Sequence, residues 1–326
     1  MASRLKLFLA LSFVAAVGCP SPSHPAPVYE PDPSSAATPT PTAGHEEQAP
    51  ATDQLQHGAV ERPFLYVVRS TEPPSYLFGT VHVGVSIDEA LPGPTFDALA
   101  DSRVVLVEID PATVSAQAFA DAARLPRRAE TLDRRLPSLL WHDLTEELSD
   151  VMLPDGLRQM RPWFAMVMLM QRRVAAMHGG APPEAMDLSI VQYAREQGIE
   201  VAALESVRDQ IAAFGAIPDA QTLRELREML EDPQAAQAKL AQMLEAYRQG
   251  DEQRMAQLLF DPAEMEAAPE MYEQLFTRRN EAWLARIERE IEAGGAFVAV
   301  GAGHLLGDDG LVAQLRERGF PVERVD

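Results

Sequence analysis

The sequence predicts an α/β (α+β) fold: a mixed sheet built from N- and C-terminal segments, with a large helical insertion between them. Short apolar runs typical of strands lie near both ends of the region that is expected to fold. The long middle of the chain instead shows the spacing of apolar residues that is typical of helices. One short strand-like run interrupts those helices, at residues 200–204.

The strands follow from apolar runs that end at turn residues. The first two runs predict a hairpin across Glu72-Pro73-Pro74, because proline stops a strand and favours a turn. The third is apolar except for Glu108, as expected for a buried strand, and ends at Asp110-Pro111. The predicted strands cover residues 64–68, 75–78, 104–109, 200–204, 296–300 and 321–325.

The helices follow from periodic apolar residues. Most of them belong to the insertion, and one lies between the last two strands, which returns the C-terminus to an α/β arrangement. The predicted helices cover residues 136–148, 163–178, 189–197, 235–249, 271–293 and 309–318.

The first 18 residues have the pattern of an export signal. Arg4 and Lys6 precede an apolar stretch that is too short for a permanent membrane span. The stretch ends in Ala16-Val17-Gly18-Cys19, which resembles a bacterial lipobox and predicts lipidation of Cys19. Pro20, in place of aspartate, favours the outer membrane, facing the periplasm or the cell surface. The alternative is a secreted protein that is cleaved near Gly18.

Residues 19–60 are rich in Pro, Ser, Thr and Ala and predict a disordered tether, so residues 61–326 are expected to form a single domain. Cys19 is the only cysteine, which excludes an intramolecular disulfide. The chain carries 49 acidic and 28 basic residues, a formal net charge of −21. So acidic a protein repels nucleic acid, which is therefore not expected as a partner.

One pattern occurs twice, as Gly79-Thr80-Val81-His82 and as Gly301-Ala302-Gly303-His304, each after a strand-like run. Glycine at a strand end allows a sharp turn, and a histidine beyond it lies at the rim of the sheet, where α/β proteins usually place their chemistry. The two histidines are expected to meet in one site. The alternative is that each is a hydrogen-bonded structural residue.

Glu108 strengthens the case for a site, because it ends a strongly apolar strand where an unpaired carboxylate would be costly to bury. Two imidazoles and one carboxylate are a common ligand set for a divalent ion that activates water. Glu108 is either a metal ligand or a general base. The sequence lacks His-Glu-x-x-His, Gly-x-Ser-x-Gly and a P-loop lysine, so a zincin, a serine hydrolase with that motif and a P-loop enzyme are not expected.

Several short motifs, in order along most of the predicted domain, resemble the TraB/GumN family, which includes the Tiki metalloproteases. These motifs are Tyr76-Leu77-Phe78-Gly79-Thr80-Val81-His82, Val107-Glu108, Arg161-Pro162-Trp163, Met186-Asp187, Leu204-Glu205-Ser206, Arg279-Asn280 and the run from Val298 to Leu305.

The resemblance implies a metal-dependent, peptidase-like site. It implies that His82, Glu108 and His304 bind a divalent ion, Mn or Co rather than Zn, and that Arg279 and Asn280 belong to the catalytic machinery. Without the resemblance, Arg279 would be interpreted as an exposed helix residue.

Three further residues are predicted to support the site or contact substrate: Glu205, Asp187 and Trp163. Glu205 has the alternative of a helix-capping role, and Trp163 that of core packing.

The predicted function is therefore a metal-dependent hydrolase of the cell envelope, most consistent with a peptide or protein substrate and bound to the membrane only through its lipid anchor. Hydrolysis of a small ester or lactone uses the same chemistry and stays open. The alternative from another class is a non-catalytic lipoprotein that binds a peptide or a polysaccharide precursor.

Overall fold

A computed structural model describes residues 60–82, 84–91, 93–113, 115–180 and 185–325. The predicted signal peptide, Cys19 and nearly all of the predicted tether lie outside these described residues. Within them, no helix combines the length and the apolar character that a membrane crossing requires.

One mixed sheet organises the described part of the chain, and it confirms the predicted fold class. Its order is β4-β3-β5-β2-β1-β6. Strands β2 to β5 pair in parallel, whereas β1 is antiparallel to both β2 and β6. The strands are β1 (Leu65–Val68), β2 (Ser75–Thr80), β3 (Val104–Val107), β4 (Glu200–Ala203), β5 (Ala296–Gly301) and β6 (Val322–Arg324).

The C-terminal strand β5 lies between β3 and β2 and joins the two ends of the chain. Thr80 is paired with Gly301, and Val107 with Ala299. Parallel strands end at the same edge of a sheet, so the residues that directly follow β2, β3 and β5 are close to one another. Both β3 and β5 are buried along their whole length, which explains their unbroken apolar sequence.

Helices make up most of the long insertion between β3 and β5 and also lie in the C-terminal return. They are α1 (Ile87–Ala90), α2 (Gly93–Ala100), α3 (Ala116–Ala123), α4 (Leu132–Arg135), α5 (Ser138–Glu147), α6 (Pro154–Leu157), α7 (Pro162–Met177), α8 (Met186–Glu196), α9 (Val207–Ala216), α10 (Asp219–Glu231), α11 (Pro233–Gln249), α12 (Glu252–Leu259), α13 (Pro262–Ala267), α14 (Pro269–Tyr272), α15 (Arg278–Ala293), α16 (Ala302–Leu305) and α17 (Leu311–Glu317). A short 3₁₀ turn covers Pro111–Thr113.

The sequence predicts a single helix over residues 271–293, and the first part of this prediction is wrong. The chain instead forms α14, a π-helical turn at Glu273–Thr277, and then α15. A π turn inserts one extra residue, which a search for the 3.6-residue period does not reveal, and such turns are frequent at functional sites. The prediction also omitted α10, whose buried Leu226 and Met229 belong to the core.

The glycines of the repeated motif are not the turn residues that the sequence suggested. Gly79 lies inside β2, and Gly301 is the last residue of β5. Gly79 is required for packing instead, because a Cβ atom there would lie 2.9 Å from Phe64 Cβ and 3.1 Å from Ala302 Cα. Its lack of a side chain therefore brings β2 against the start of α16, which carries His304.

Candidate active site at the carboxyl edge of the sheet

His304 lies in α16, directly after β5, and is completely buried. Its Nδ1 is 2.8 Å from Asn280 Oδ1. The Asn280 amide nitrogen donates to the backbone oxygens of His304 at 3.2 Å and Asp309 at 2.9 Å, so its oxygen must face the ring. Nδ1 therefore carries the proton of the neutral ring, and Nε2 keeps a lone pair that accepts a hydrogen bond from Arg279 Nη1 at 3.1 Å.

The environment keeps this imidazole neutral. Burial, followed by the Arg279 charge, lowers the pKa of His304 to about 3. The ring packs between Trp283 and Phe276, with centroid distances of 4.6 Å and 5.3 Å. His304 thus presents one oriented lone pair, the form of histidine that binds metal ions.

Glu108 directly follows β3 and is buried. Its Oε1 accepts the Gly301 N–H at 2.8 Å, and its Oε2 accepts from Arg279 Nη2 at 2.6 Å and from Gln210 Nε2 at 3.3 Å. Burial alone would raise the pKa of Glu108, but the charge of Arg279, together with the Gly301 N–H, holds it well below its usual range. The carboxylate is therefore ionised, and Oε1 lies 3.8 Å from His304 Nε2.

Arg279, in the first turn of α15, connects these groups. Its Nη2 lies 2.6 Å from both Glu108 Oε2 and Glu205 Oε1, and its Nε donates to both oxygens of Glu205 at 3.1 Å. Its guanidinium carbon also lies 4.7 Å from the centre of the Trp283 ring. The interpretation of Arg279 as an exposed helix residue is wrong, since it is 5% exposed.

Glu205, which follows β4, is the second carboxylate on this guanidinium. Burial raises the pKa of Glu205 above its ordinary value, although the charge of Arg279 and its hydrogen bonds act in the opposite direction. The adjacent Ser206, not Glu205, caps α9. Glu205 thus belongs to the same buried network as Glu108.

His82 comes two residues after β2 and is paired with a carboxylate of its own. Its Nδ1 is 2.5 Å from Asp187 Oδ2, and Thr80 Oγ1 donates to the other oxygen, Oδ1, at 2.9 Å. Asp187 lies in the first turn of α8, where the helix dipole favours an anion. Burial lowers the pKa of His82, but Asp187 and Glu108 outweigh it, so the pKa lies above its ordinary value.

Replacing Asp187 by asparagine is expected to lower the pKa of His82, because the charge of Asp187 then no longer opposes the effect of burial. A raised folded-state pKa stabilises the fold below the unfolded pKa, about 6.5, and this stability is lost as the pH rises through the folded value. Asp187→Asn should therefore destabilise the metal-free protein most at acidic pH. An NMR titration of the His82 ring and urea unfolding at two pH values measure both effects.

The matched control is Asp155→Asn, at the start of α6, where the carboxylate is 88% exposed. It should leave the His82 titration unchanged. An unchanged titration in Asp187→Asn as well would contradict the proposed pairing.

The structure brings most of the predicted site residues together but not Trp163. Trp163 is buried in an aromatic cluster with Phe119, Phe164 and Phe214, so its contacts are those of a core residue. Trp163 therefore has the alternative role, that of a core-packing residue, rather than that of a substrate contact.

Several residues that build the site were assigned no role in it from the sequence. Tyr247 donates to the backbone oxygen of Gly79 at 2.7 Å, and Gln210 contacts Glu108. Gln210 is fully buried on the apolar face of α9. A polar residue at an apolar helix position is a signal that a sequence can carry. Phe276 and Trp283, which flank His304, look like ordinary core residues in the sequence.

The fit to a metal ion can be judged from the donor atoms. Across the described ranges, no group of three or more His, Cys, Asp or Glu side chains is arranged to hold one ion. Arg279 directs its N–H groups at His304 Nε2 and Glu108 Oε2, two atoms that a metal would use. The donors themselves fit a divalent ion in kind, since the site offers a neutral imidazole lone pair and an ionised carboxylate.

Comparisons with known proteins identify the family. The TraB/PrgY/gumN family profile matches residues 64–324, nearly all of the described chain. The chain belongs to the TraB/PrgY/gumN family. The match spans every strand of the sheet, and it includes all side chains of the candidate site.

Curated relatives of this TraB/PrgY/gumN protein are distant. The chain is 27% identical to "Metalloprotease TIKI2" of Xenopus tropicalis, over 80% of its own length but 59% of that protein. It is 25% identical to "Metalloprotease TIKI1" of Homo sapiens, over 80% of its length and 61% of the relative. It is 27% identical to "Uncharacterized protein YbaP" of Shigella flexneri, over 74% of its own length and 88% of that protein. No solved structure matches the chain significantly.

Proposed function

We propose that this protein is a metal-dependent hydrolase, peptidase-like in its reaction, whose site lies at the carboxyl edge of the sheet. The observation that carries the proposal is the pairing of a neutral His304 with an ionised Glu108, with Nε2 and Oε1 3.8 Å apart. The names of the TIKI relatives support this proposal, although the chain spans only about three fifths of their length.

In this proposal, His82, Glu108 and His304 hold the divalent ion, with Mn or Co favoured over Zn by the family resemblance. A divalent ion bound there would acidify water and polarise a carbonyl group. The strongly lowered pKa of Glu108 makes it a poor proton acceptor, which favours a ligand role over that of general base. Glu205, whose pKa is raised, is the better acceptor.

In this proposal, the remaining residues orient the two histidine rings and stabilise an oxyanion. Asp187 fixes the ring of His82, and Asn280 fixes the tautomer of His304 so that Nε2 faces the site. Arg279 provides buried N–H donors that are suited to an oxyanion. Water exclusion follows from the burial of Glu108, Arg279 and both histidines.

Calorimetric titration of the metal-free protein with MnCl₂ tests the metal site. We expect His82→Ala and His304→Ala each to bind the ion at least about tenfold more weakly than wild type, since each removes a proposed ligand. The control is His142→Ala, whose side chain is 71% exposed. Unchanged metal binding in both site variants would contradict the proposal.

A second function is favoured by one observation. Arg279 forms hydrogen bonds with Glu108, Glu205 and His304, and no group of three or more metal-binding side chains is arranged around one point among the described residues. A protein that binds an envelope peptide or polysaccharide precursor without cleaving it would have such a structural network. Wild-type protein that binds no Mn²⁺ in the same titration would favour this function.

The location of the protein is also a proposal. We expect Cys19 to carry the lipid that anchors the chain to the envelope, most consistently at the outer membrane. Replacing Cys19 by alanine should move the protein from the membrane fraction to the soluble periplasmic fraction, as measured by fractionation and immunoblotting. The same distribution for wild type and variant would contradict lipid anchoring.

A further inference from the structure

A cavity of about 530 Å³ lies directly beside the candidate site. Its wall includes Asn280 and Gly303, the residues that contact and precede His304. Phe276 is shared between the two, because its ring packs against His304 on one side and lines the cavity on the other. A volume of this size is typical of pockets that enclose a small ligand or a large side chain.

The inner wall is aromatic. Phe260, Tyr272 and Phe276 contact one another, with centroid distances of 5.3 to 6.4 Å, and Met265 and Leu306 extend the apolar surface. Such a wall binds large apolar groups, since aromatic rings offer wide contact area and favour stacked or edge-on partners.

The shape of this wall depends on two special features of the backbone. Phe276 and Thr277 belong to the π-helical turn, the type of helix irregularity that is frequent at functional sites. Gly303 allows Phe276 to approach, because a Cβ atom at Gly303 would lie 2.7 Å from Phe276 Cε1. Both features bring the aromatic wall next to the catalytic candidate His304.

Acidic side chains complete the lining. Among the described residues that line the cavity are Asp261, Asp308 and Asp309, and none of those residues is a lysine or arginine. A bound group with a nearby positive charge is therefore favoured, and one with a negative charge is disfavoured.

We propose that this cavity is the side-chain subsite for the peptide substrate, and that it takes a large apolar, preferably aromatic, residue flanked by a basic residue. For the nature of the ligand, this inference rests on the proposed peptidase-like function. The subsite would place such a residue against Phe276, whose ring also packs against His304.

Calorimetric binding of short capped peptides, measured without metal, tests the subsite. A Lys-Phe-Lys peptide should bind wild type roughly tenfold or more tightly than Lys-Ala-Lys, because burial of a phenylalanine ring is worth at least that factor. It should also bind more tightly than Glu-Phe-Glu, and the double variant Asp308→Asn/Asp309→Asn should reduce that second preference. Glu292→Gln/Glu317→Gln, an exposed pair outside the cavity, is the charge control.

Ala256→Trp, on the cavity wall, should fill the space and weaken Lys-Phe-Lys binding about tenfold. The matched control Ala238→Trp lies on an exposed position of α11 and should have no effect. Equal binding of the Phe and Ala peptides by wild type, or no binding of any peptide, would overturn the subsite whether or not Ala256→Trp folds. Selective binding without cleavage when Mn²⁺ is added would contradict the proposed hydrolase alone.

Discussion

Replacing Arg279 by methionine is expected to lower the free energy of unfolding by about 3–5 kcal/mol, the usual cost of removing one partner from a buried ion pair. Arg279 is buried and is the shared partner of Glu108 and Glu205. Without it, two carboxylates remain in a low-dielectric environment, and His304 Nε2 loses its hydrogen bond. Urea unfolding followed by circular dichroism measures the loss.

The matched control is Arg278→Met, because Arg278 is the preceding residue and its side chain is 61% exposed. We expect this change to stay within about 1 kcal/mol of wild type, as is usual for a surface ion pair. Arg279→Lys should fall between the two, since a lysine cannot bridge two carboxylates with a planar fork. Equal stability of the Arg278 and Arg279 variants would contradict the buried network.

The loss in Arg279→Met should also depend on pH. Arg279 lowers the pKa of Glu108, and a lowered folded-state pKa adds stability above the unfolded pKa that disappears as the pH falls through the folded value. The difference between wild type and Arg279→Met should therefore be larger at neutral pH than in acid, where Glu108 is protonated in the variant. In wild type, Glu205 changes the free energy of unfolding in the opposite direction to Glu108. Its folded-state pKa is raised, so its contribution to stability falls as the pH rises.

The strands were predictable because their signals are local. The runs that became β1, β2, β3 and β5 are short and apolar, so the sequence alone places them, and the repeated motif lies near the ends of two of them. The prediction of a common sheet edge follows from parallel pairing, but the order in which β5 separates β2 from β3 depends on tertiary contacts that no local pattern records.

The contacts within the site were not predictable in the same way. Arg279 and Glu108 are 171 residues apart, and Arg279 lies in a run of charged residues that is typical of an exposed helix face. Its burial comes with contacts to Glu108 and Glu205, two residues that are distant from it in the sequence. Only the family resemblance indicated Arg279 in advance, and it gave no reason for the choice of arginine.

Glu108→Gln is expected to lower hydrolytic activity by roughly 10²- to 10⁴-fold, the usual range for loss of a catalytic carboxyl group. Glutamine preserves the shape of the side chain and can still accept the Gly301 N–H, but it has no charge to offer a metal ion or Arg279. The rate is measured with a mixed fluorogenic peptide library and Mn²⁺, and it is expressed per folded molecule because the variant also weakens the ion pair.

Glu200→Gln is the matched control for Glu108→Gln, since Glu200 is an exposed carboxylate at the start of β4, the opposite end of the strand from Glu205. It should cleave like wild type. If Glu108→Gln folds and also cleaves like wild type, the carboxylate has only a structural role. Glu108 is then no longer a ligand, and the proposed metal site keeps no carboxylate. If wild type itself cleaves nothing but binds Lys-Phe-Lys selectively, the edge of the sheet recognises peptides without hydrolysing them. The charge of Glu108 therefore separates the two functions more directly than either histidine, because the imidazoles of His82 and His304 also have hydrogen-bonding roles that a binding protein would need.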